Sequence, residues 1–463
     1  SGFREADFVA EISCQTSAVE HCYIEPEAGH ARRVGDRIEL FVTTQTPFMD
    51  KTEVGRMMSR LQGDVNSLQE FLENSITAFG DLVLLFGIAG FFQFGPGMVE
   101  RSMNKVDGEP LIEVSDEAKA LHKTLTIVDL HSDTLLWNRN LLNRADQGHM
   151  DLPRLEEGNV ALQVFSSVTK TPKGQNYDAN DADSDNITTL VIAQLQPTRT
   201  WNSLLERSLW HAEKLDRAAA KSDGELLKVA SIKDLDRLLR ERSSQTPKPV
   251  GALLSIEGLQ NLEGDLSNLD VLSKQGFRMA SLTHFFDTDL AGSMHGMEKG
   301  GLTDKGRKAV RRMEALGMVV DIAHCSHKCV ADILAMARRP VVSSHGGVQA
   351  TCDVNRNLSD DEIRGVAKTG GVVGIGYWDA AVCGTSPRDA AKAMKHVRDL
   401  VGIDYVALGS DYDGAITPPP DLRDGFTAYY RVVQRLLDAG WAEPRIEKVL
   451  GASFLRSFAA LRP

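Results

Sequence analysis

Apolar and polar positions follow two different patterns along this chain. From about residue 121 onward, short runs rich in apolar and β-branched residues recur, each closing on a polar or charged residue. They fall at 125–130, 160–164, 252–256, 277–282, 318–322, 341–343, 372–375 and 406–408, and most precede a stretch of helical period. Continuously apolar strands alternating with amphipathic helices describe a parallel sheet covered on both faces. Eight such units predict an α/β fold in which the sheet closes into a (β/α)₈ TIM-type barrel. Helices are expected at 203–222, 303–316, 327–338, 359–369, 386–400 and 424–438. The polar, Asp- and Asn-rich stretch 169–189 reads as a long loop above the barrel.

The N-terminal quarter lacks this regularity. Residues 1–60 show no helical period, and 37–44 alternate enough for one strand. Residues 64–79 predict a short amphipathic helix. Residues 82–99, from Leu82 to Val99, carry no charge and are interrupted only by glycines, Gln93 and Pro96. At a rise of about 1.5 Å per residue this run sits at the lower edge of what crosses a bilayer. Glu70, Glu73 and Asp81 precede it and Arg101 and Lys105 follow, the reverse of a cleaved signal peptide. Two readings stand: membrane association through 82–99, which favours an anchored or exported protein, and a helix or hairpin buried against the main domain. The expected organisation is an extension at 1–63, an amphipathic helix, apolar run and linker at 64–120, and the barrel at 121–463.

Composition narrows the function classes. A hydrophobic fraction of 42% and a charged fraction of 25% exclude a mainly disordered chain and a polytopic membrane protein. A formal net charge of −12 argues against a nucleic-acid partner. Six cysteines in 463 residues do not make a disulfide framework. Cys325 and Cys329, four apart at a helix start, read as buried or semi-exposed thiols rather than a metal site, and Cys14, Cys22, Cys352 and Cys383 show no pairing logic.

In a (β/α)₈ barrel, chemistry sits where the strands end. Strand one runs into His131 and Asp133, two apart and so on one side of an extended backbone. Glu257 closes strand three, His284 strand four, His324 strand five and His345 strand six, while Asp411 and Asp413 follow strand eight. Imidazoles and carboxylates together suit zinc and related divalent ions. His131, Asp133, Glu257, His324 and His345 are too many ligands for one tetrahedral ion with an open position. They fit two ions sharing a carboxylate, with Glu257 the natural bridge. Asp413, beside Gly414, reads as a turn residue, and His295 and His327 as structural or rim residues. Tyr377 and Trp378 follow strand seven and could line the pocket.

The segments IVDLHSDTL, LLSIEGLQNL, GFRMASLTHFFDTDLAGS, GLTDKGRKAVRRMEALGMVVDIAHCS, PVVSSHGGVQATCDVNRNLSD and IDYVALGSDYDG resemble the membrane (renal) dipeptidase family of zinc peptidases, across about 121–463. The resemblance implies dipeptide hydrolysis by a hydroxide bridging two Zn²⁺, held by His131, Asp133, Glu257, His324 and His345 with Glu257 shared. It makes His284 the residue that contacts substrate and steadies the tetrahedral intermediate. Arg356 becomes the ligand of the substrate carboxylate, and Asp411 the proton relay to the leaving amine. A homodimer would fit the family. The alternatives are a non-catalytic, membrane-tethered barrel and a binuclear hydrolase of another amide or ester. Residues 18–49 are similar to a segment of the molybdopterin-binding subunit of xanthine dehydrogenases, a fragment too short to assemble a molybdenum site.

Overall fold

The computed structural model describes residues 29–35, 37–42, 51–105, 112–384, 386–418, 422, 425 and 429–461. The chain divides into two compact units, Ser1–Leu85 and Phe86–Pro463. In the first, strands Gly29–Val34 and Arg37–Val42 pair antiparallel, with Gly29 opposite Val42 and Val34 opposite Arg37. The strand expected at 37–44 is therefore one arm of a hairpin.

A single helix, α1 (Lys51–Met103), spans 53 residues. It corrects two expectations. Helical structure begins inside the stretch that showed no period, and 64–79 and 82–99 form one element rather than two. Only Gly80 and Asp81 separate the two patterns, and an interior glycine costs about 1 kcal/mol, too little to stop a helix already under way. Within the second unit the apolar run is also not buried: the side chains of 86–99 are largely exposed, Phe86 and Phe94 among them. The reading of a segment buried against the main domain is thereby set aside for 86–99.

In the second unit all eight apolar runs form strands: β1 (Ile127–Asp129), β2 (Val160–Val168), β3 (Val250–Glu257), β4 (Phe277–Ser281), β5 (Val319–Asp321), β6 (Val341–Val342), β7 (Val373–Ile375) and β8 (Val406–Leu408). They pair in parallel in the order β7-β8-β1-β2-β3-β4-β5-β6. A bridge between Ser343 and Val373 joins β6 back to β7 and completes the barrel. A short strand absent from the sequence reading, Leu226–Lys228, pairs with the start of β3. Both faces of the strands are buried, and alternate residues enter different apolar clusters: Val128, Leu162 and Val164 in one, Ile127, Leu254 and Ile256 in another.

The helices begin where side-chain caps place them. Ser203, Thr303 and Ser326 accept the first free backbone N–H groups of Leu204–Lys221, Asp304–Ala315 and His327–Met336. Ser359 with Glu362, and Ser386 with Asp389, form reciprocal boxes ahead of Asp360–Thr369 and Pro387–Val401. Within the expected 424–438 helix, the described element is Tyr429–Asp438.

Cys352 and Cys383 are joined by a disulfide, correcting the expectation that they had no partner. One follows β6 and the other β7, so only the folded barrel brings the two loops side by side. Cys325 and Cys329 are free and buried, as expected. Cys14 and Cys22 lie outside the described residues.

Candidate active site

The exits of β1 and β8 are tied together beneath the site. Asp129, wholly buried, accepts from the Ser410 amide at 2.7 Å, the Ser410 hydroxyl at 2.8 Å and Gln163 Nε2 at 2.8 Å. Burial pushes its carboxyl up to about 6 against those bonds. One step further on, the Asp133 amide donates to the Tyr412 carbonyl and the Asp411 amide to the His131 carbonyl. His131 and Asp133 from one strand and Asp411 from the other thus arrive on a shared frame.

Glu257, at the end of β3, stands at the centre of the cluster. Its Oε1 lies 2.9 Å from His324 Nε2 and 3.3 Å from His345 Nε2. Its Oε2 lies 3.5 Å from both His131 Nε2 and His284 Nε2. His131 Nε2 is also 3.4 Å from Asp133 Oδ1 and 3.8 Å from Asp411 Oδ1. Every member but Asp411 is under one-tenth exposed. The structure therefore brings together all five expected metal ligands, with His284 and Asp411 beside them. His284 stands as near Glu257 as His131 does, although the resemblance gives it a substrate contact.

Buried polar atoms normally find partners. Among the described residues, His131 Nδ1 and Nε2, Asp133 Oδ1, Glu257 Oε2, His284 Nδ1 and His324 Nδ1 have no hydrogen-bond partner. Among the described residues, three sets of ligand atoms each converge within 4.8 Å: His131, Glu257 and His345; Glu257, His284 and His324; and His131, Asp133 and Asp411. Nitrogen and oxygen donors converging unpaired in a buried space fit bound divalent cations.

Burial and mutual charge shift these groups strongly. Burial, then the charge of neighbouring groups, holds His284, His324 and His345 well below the ordinary imidazole range, so they are neutral. Burial opposes charge on His131 as well, but Glu257 and Asp133 reverse the balance and raise it. Burial, then Asp133, pushes up the Glu257 carboxyl against the pull of His131. Asp411 is pushed well above the usual carboxylate range by burial and by Asp133 and Glu257.

The neighbouring loops finish the site. Ser344 Oγ lies 2.9 Å from His345 Nδ1, and Asp321 accepts from the amides of Ala323 and Ser344, steadying the β5 and β6 exits. His324 and Asp411 take left-handed backbone conformations, with φ of 64° and 59°. Arg356 is buried and donates Nη2 to the His345 carbonyl at 3.0 Å. The 169–189 stretch does lie at the mouth: Trp378 donates to the Tyr177 hydroxyl at 3.1 Å, and His295 Nδ1 lies 2.9 Å from the Tyr177 carbonyl. These elements enclose a cavity of about 590 Å³ containing Asp133, Glu257, His284, His324, His345, Arg356 and Asp411.

Some assignments shift. His295 is a fully buried structural residue, stacked 4.8 Å from Phe285 with its ring 5.3 Å from that of His324, in line with the expectation. Asp413 is in a turn, φ 65°, and is also a buried anchor for Arg139, Thr134 and the His149 amide. His327 pairs with Glu362 at 2.7 Å as a structural residue. Trp378 lines the cavity; Tyr377 is buried behind it.

A closed (β/α)₈ barrel with buried imidazoles and carboxylates at its strand exits defines a metal-dependent hydrolase. Residues 115–462 match the model of the membrane dipeptidase family, peptidase family M19. The chain belongs to that family, an enzyme of the metallo-dipeptidase class. It is 28% identical to dipeptidase aclJ of Aspergillus oryzae over 73% of this chain and 80% of that protein. It is 27% identical to dipeptidase 3 of Macaca fascicularis over 67% of this chain, spanning 64% of that protein's length. Its fold is shared by the probable dipeptidase PvdM of Pseudomonas aeruginosa, at TM-score 0.63, 19% identity and coverage of 75% and 98%. It is shared too by a Rhodobacter sphaeroides metallopeptidase solved with a phosphinate mimic of L-Ala-D-Ala, at TM-score 0.59, 21% identity and coverage of 73% and 99%. The family match starts at residue 115 and gives the oxidoreductase-like stretch at 18–49 no support.

Proposed function

We propose that this protein hydrolyses dipeptides with two zinc ions held by His131, Asp133, Glu257, His324 and His345, Glu257 being shared. The observation that carries the reading is the position of Glu257, whose two carboxylate oxygens face different imidazoles. Ions in such a pair activate water near neutral pH and polarise a carbonyl. The remaining tasks fall to the chain. Arg356, buried and anchored on the His345 carbonyl, binds the free carboxylate of the substrate and restricts the site to short peptides with an exposed C-terminus. His284, neutral and 3.5 Å from Glu257, offers a ring N–H to the oxygen that gains charge as the carbonyl becomes tetrahedral. Asp411, whose carboxyl is pushed up by burial and the neighbouring carboxylates, passes a proton to the departing amine.

The catalytic domain in this reading is 121–463, and residues 82–99 tie the protein to a membrane. Support for the latter is the exposed helix Ser59–Met103, which is long and apolar enough to cross a bilayer.

The deciding experiment is metal quantification with turnover of L,L and L,D dipeptides. Two zinc ions per chain, and turnover lost to chelation and restored by zinc, are expected. A zinc-loaded protein inert toward every dipeptide would overturn the reading.

A further inference from the structure

The active-site cavity is lined by the ligand cluster and Arg356 and also by apolar residues, among them Leu136, Trp137, Ile187 and Ile416 together with Val99 and Met103 from the last turns of α1. Val99 and Met103 lie before the start of the family match, so the family relationship assigns them nothing.

This end of α1 is pinned to the barrel. Glu100 is buried, forms an ion pair with Arg139 and accepts from Gln147 Nε2 at 2.7 Å. Arg139 in turn pairs with Asp413, in the loop that carries Asp411. One turn further, Asn104 Oδ1 accepts from the Ala415 amide at 2.9 Å and the Asn104 carbonyl from the Gly148 amide at 3.2 Å. Residues four apart on a helix share a face. Fixing 100 and 104 on the barrel therefore fixes 99 and 103 as a neighbouring pair. Val99 is 45% and Met103 43% exposed, apolar surface at the cavity that a ligand's side chain could cover.

We propose that Val99 and Met103 form the outer wall of an apolar subsite for the side chain of the substrate's amino-terminal residue, so that dipeptides beginning with a large apolar residue are preferred. The proposal rests on the dipeptidase reading. Arg356 and the Val99–Met103 pair line the same cavity. On this proposal a dipeptide fixed by its carboxylate at Arg356 turns its other residue toward those apolar side chains. A hydrophobic pocket discriminates one methylene by about 10-fold or more, so a leucyl against a glycyl residue is an ample probe.

The test compares kcat/KM for L-Leu-L-Ala, Gly-L-Ala and L-Asp-L-Ala in the full chain. The wild type is expected to favour L-Leu-L-Ala over Gly-L-Ala by about tenfold or more. Met103→Arg should move the Leu:Asp ratio by at least about tenfold toward L-Asp-L-Ala, and Val99→Asp should lower the Leu:Gly ratio. In a Met103→Cys variant, a phosphinate analogue of Leu-Ala should slow alkylation at position 103, a readout independent of turnover. Unshifted ratios with unprotected alkylation, in enzyme that still turns over dipeptides, would overturn this proposal alone. Absence of any dipeptide turnover by the zinc-loaded wild type would overturn the functional reading and this proposal with it.

Discussion

The hydroxyl of Ser344 lies 2.9 Å from Nδ1 of His345, leaving the far ring nitrogen 3.3 Å from Glu257. A partner on one imidazole nitrogen sets the tautomer and aim of the other. Ser344→Ala should weaken metal binding by about 10- to 100-fold while the barrel stays folded. Competition against a chromogenic chelator measures this, and unchanged affinity would show that Ser344 does not orient the ligand.

Arg356 supplies a second test. Removing a charged hydrogen-bond partner costs about 1.5–3 kcal/mol, so Arg356→Ala should lower kcat/KM for free dipeptides by about 10- to 100-fold. The Lys variant keeps the charge without the planar fork and should fall between. Dipeptide amides should be poor substrates for the wild type and lose little further in Arg356→Ala. An equal loss on acids and amides would argue against carboxylate recognition.

The His327–Glu362 pair makes stability depend on pH. Its hydrogen bond to Glu362 raises the His327 imidazole above its ordinary value of 6.5. A raised folded-state value means that the folded protein holds the proton more tightly. The stabilisation is fully present below the ordinary value and is lost as pH climbs through the raised one. Melting temperatures of wild type and His327→Gln should differ at about pH 5.5 and converge near pH 8.5. A difference that grows with pH would reverse the assignment.

The Cys352–Cys383 bond closes a segment with a sequence separation of 31. Loop entropy assigns such a closure about 3–4 kcal/mol. Replacing both cysteines with serine should lower the melting temperature by about 4 °C for a domain of this size. Calorimetry under non-reducing conditions checks this; equal melts would mean that the bond adds no stability in solution.

Membrane association through 82–99 predicts that the full chain floats with phospholipid vesicles in a density gradient. Replacing Leu84, Phe86 and Ile88 by Asp should abolish flotation, since charges at mid-bilayer are costly. Recovery of the wild type in the protein-only fraction would count against it.

Much of this was legible in the sequence because a buried parallel strand must be apolar on both faces and its exit must turn polar. That rule located all eight strands, and the residues just beyond them, His131 to His345, gathered as the spacing implied. Other features depend on contacts that no local pattern records. Cys352 and Cys383 meet only when two loops flank β7. Asp413 looked like a turn residue because Gly414 follows, yet its buried partners come from residues 134 to 149. Helix α1 looks like two elements in the sequence because its apolar pattern changes at 80–82 while its backbone does not. Val99 ends, and Met103 follows, a run whose hydropathy suggests lipid, and only the tertiary structure sets them against the cavity.

His324 and Asp411 reach the site through backbone conformations that L-residues rarely adopt, and Asp411 does so with a largely buried carboxyl. Such positions cost about 1–3 kcal/mol each and persist because the surrounding structure enforces them. If Asp411 relays the proton as proposed, random mutagenesis selected only for heat resistance should enrich glycine or asparagine at 411 and yield a more durable protein that no longer works. In that case resistance to heat and usefulness are set against each other at that single turn.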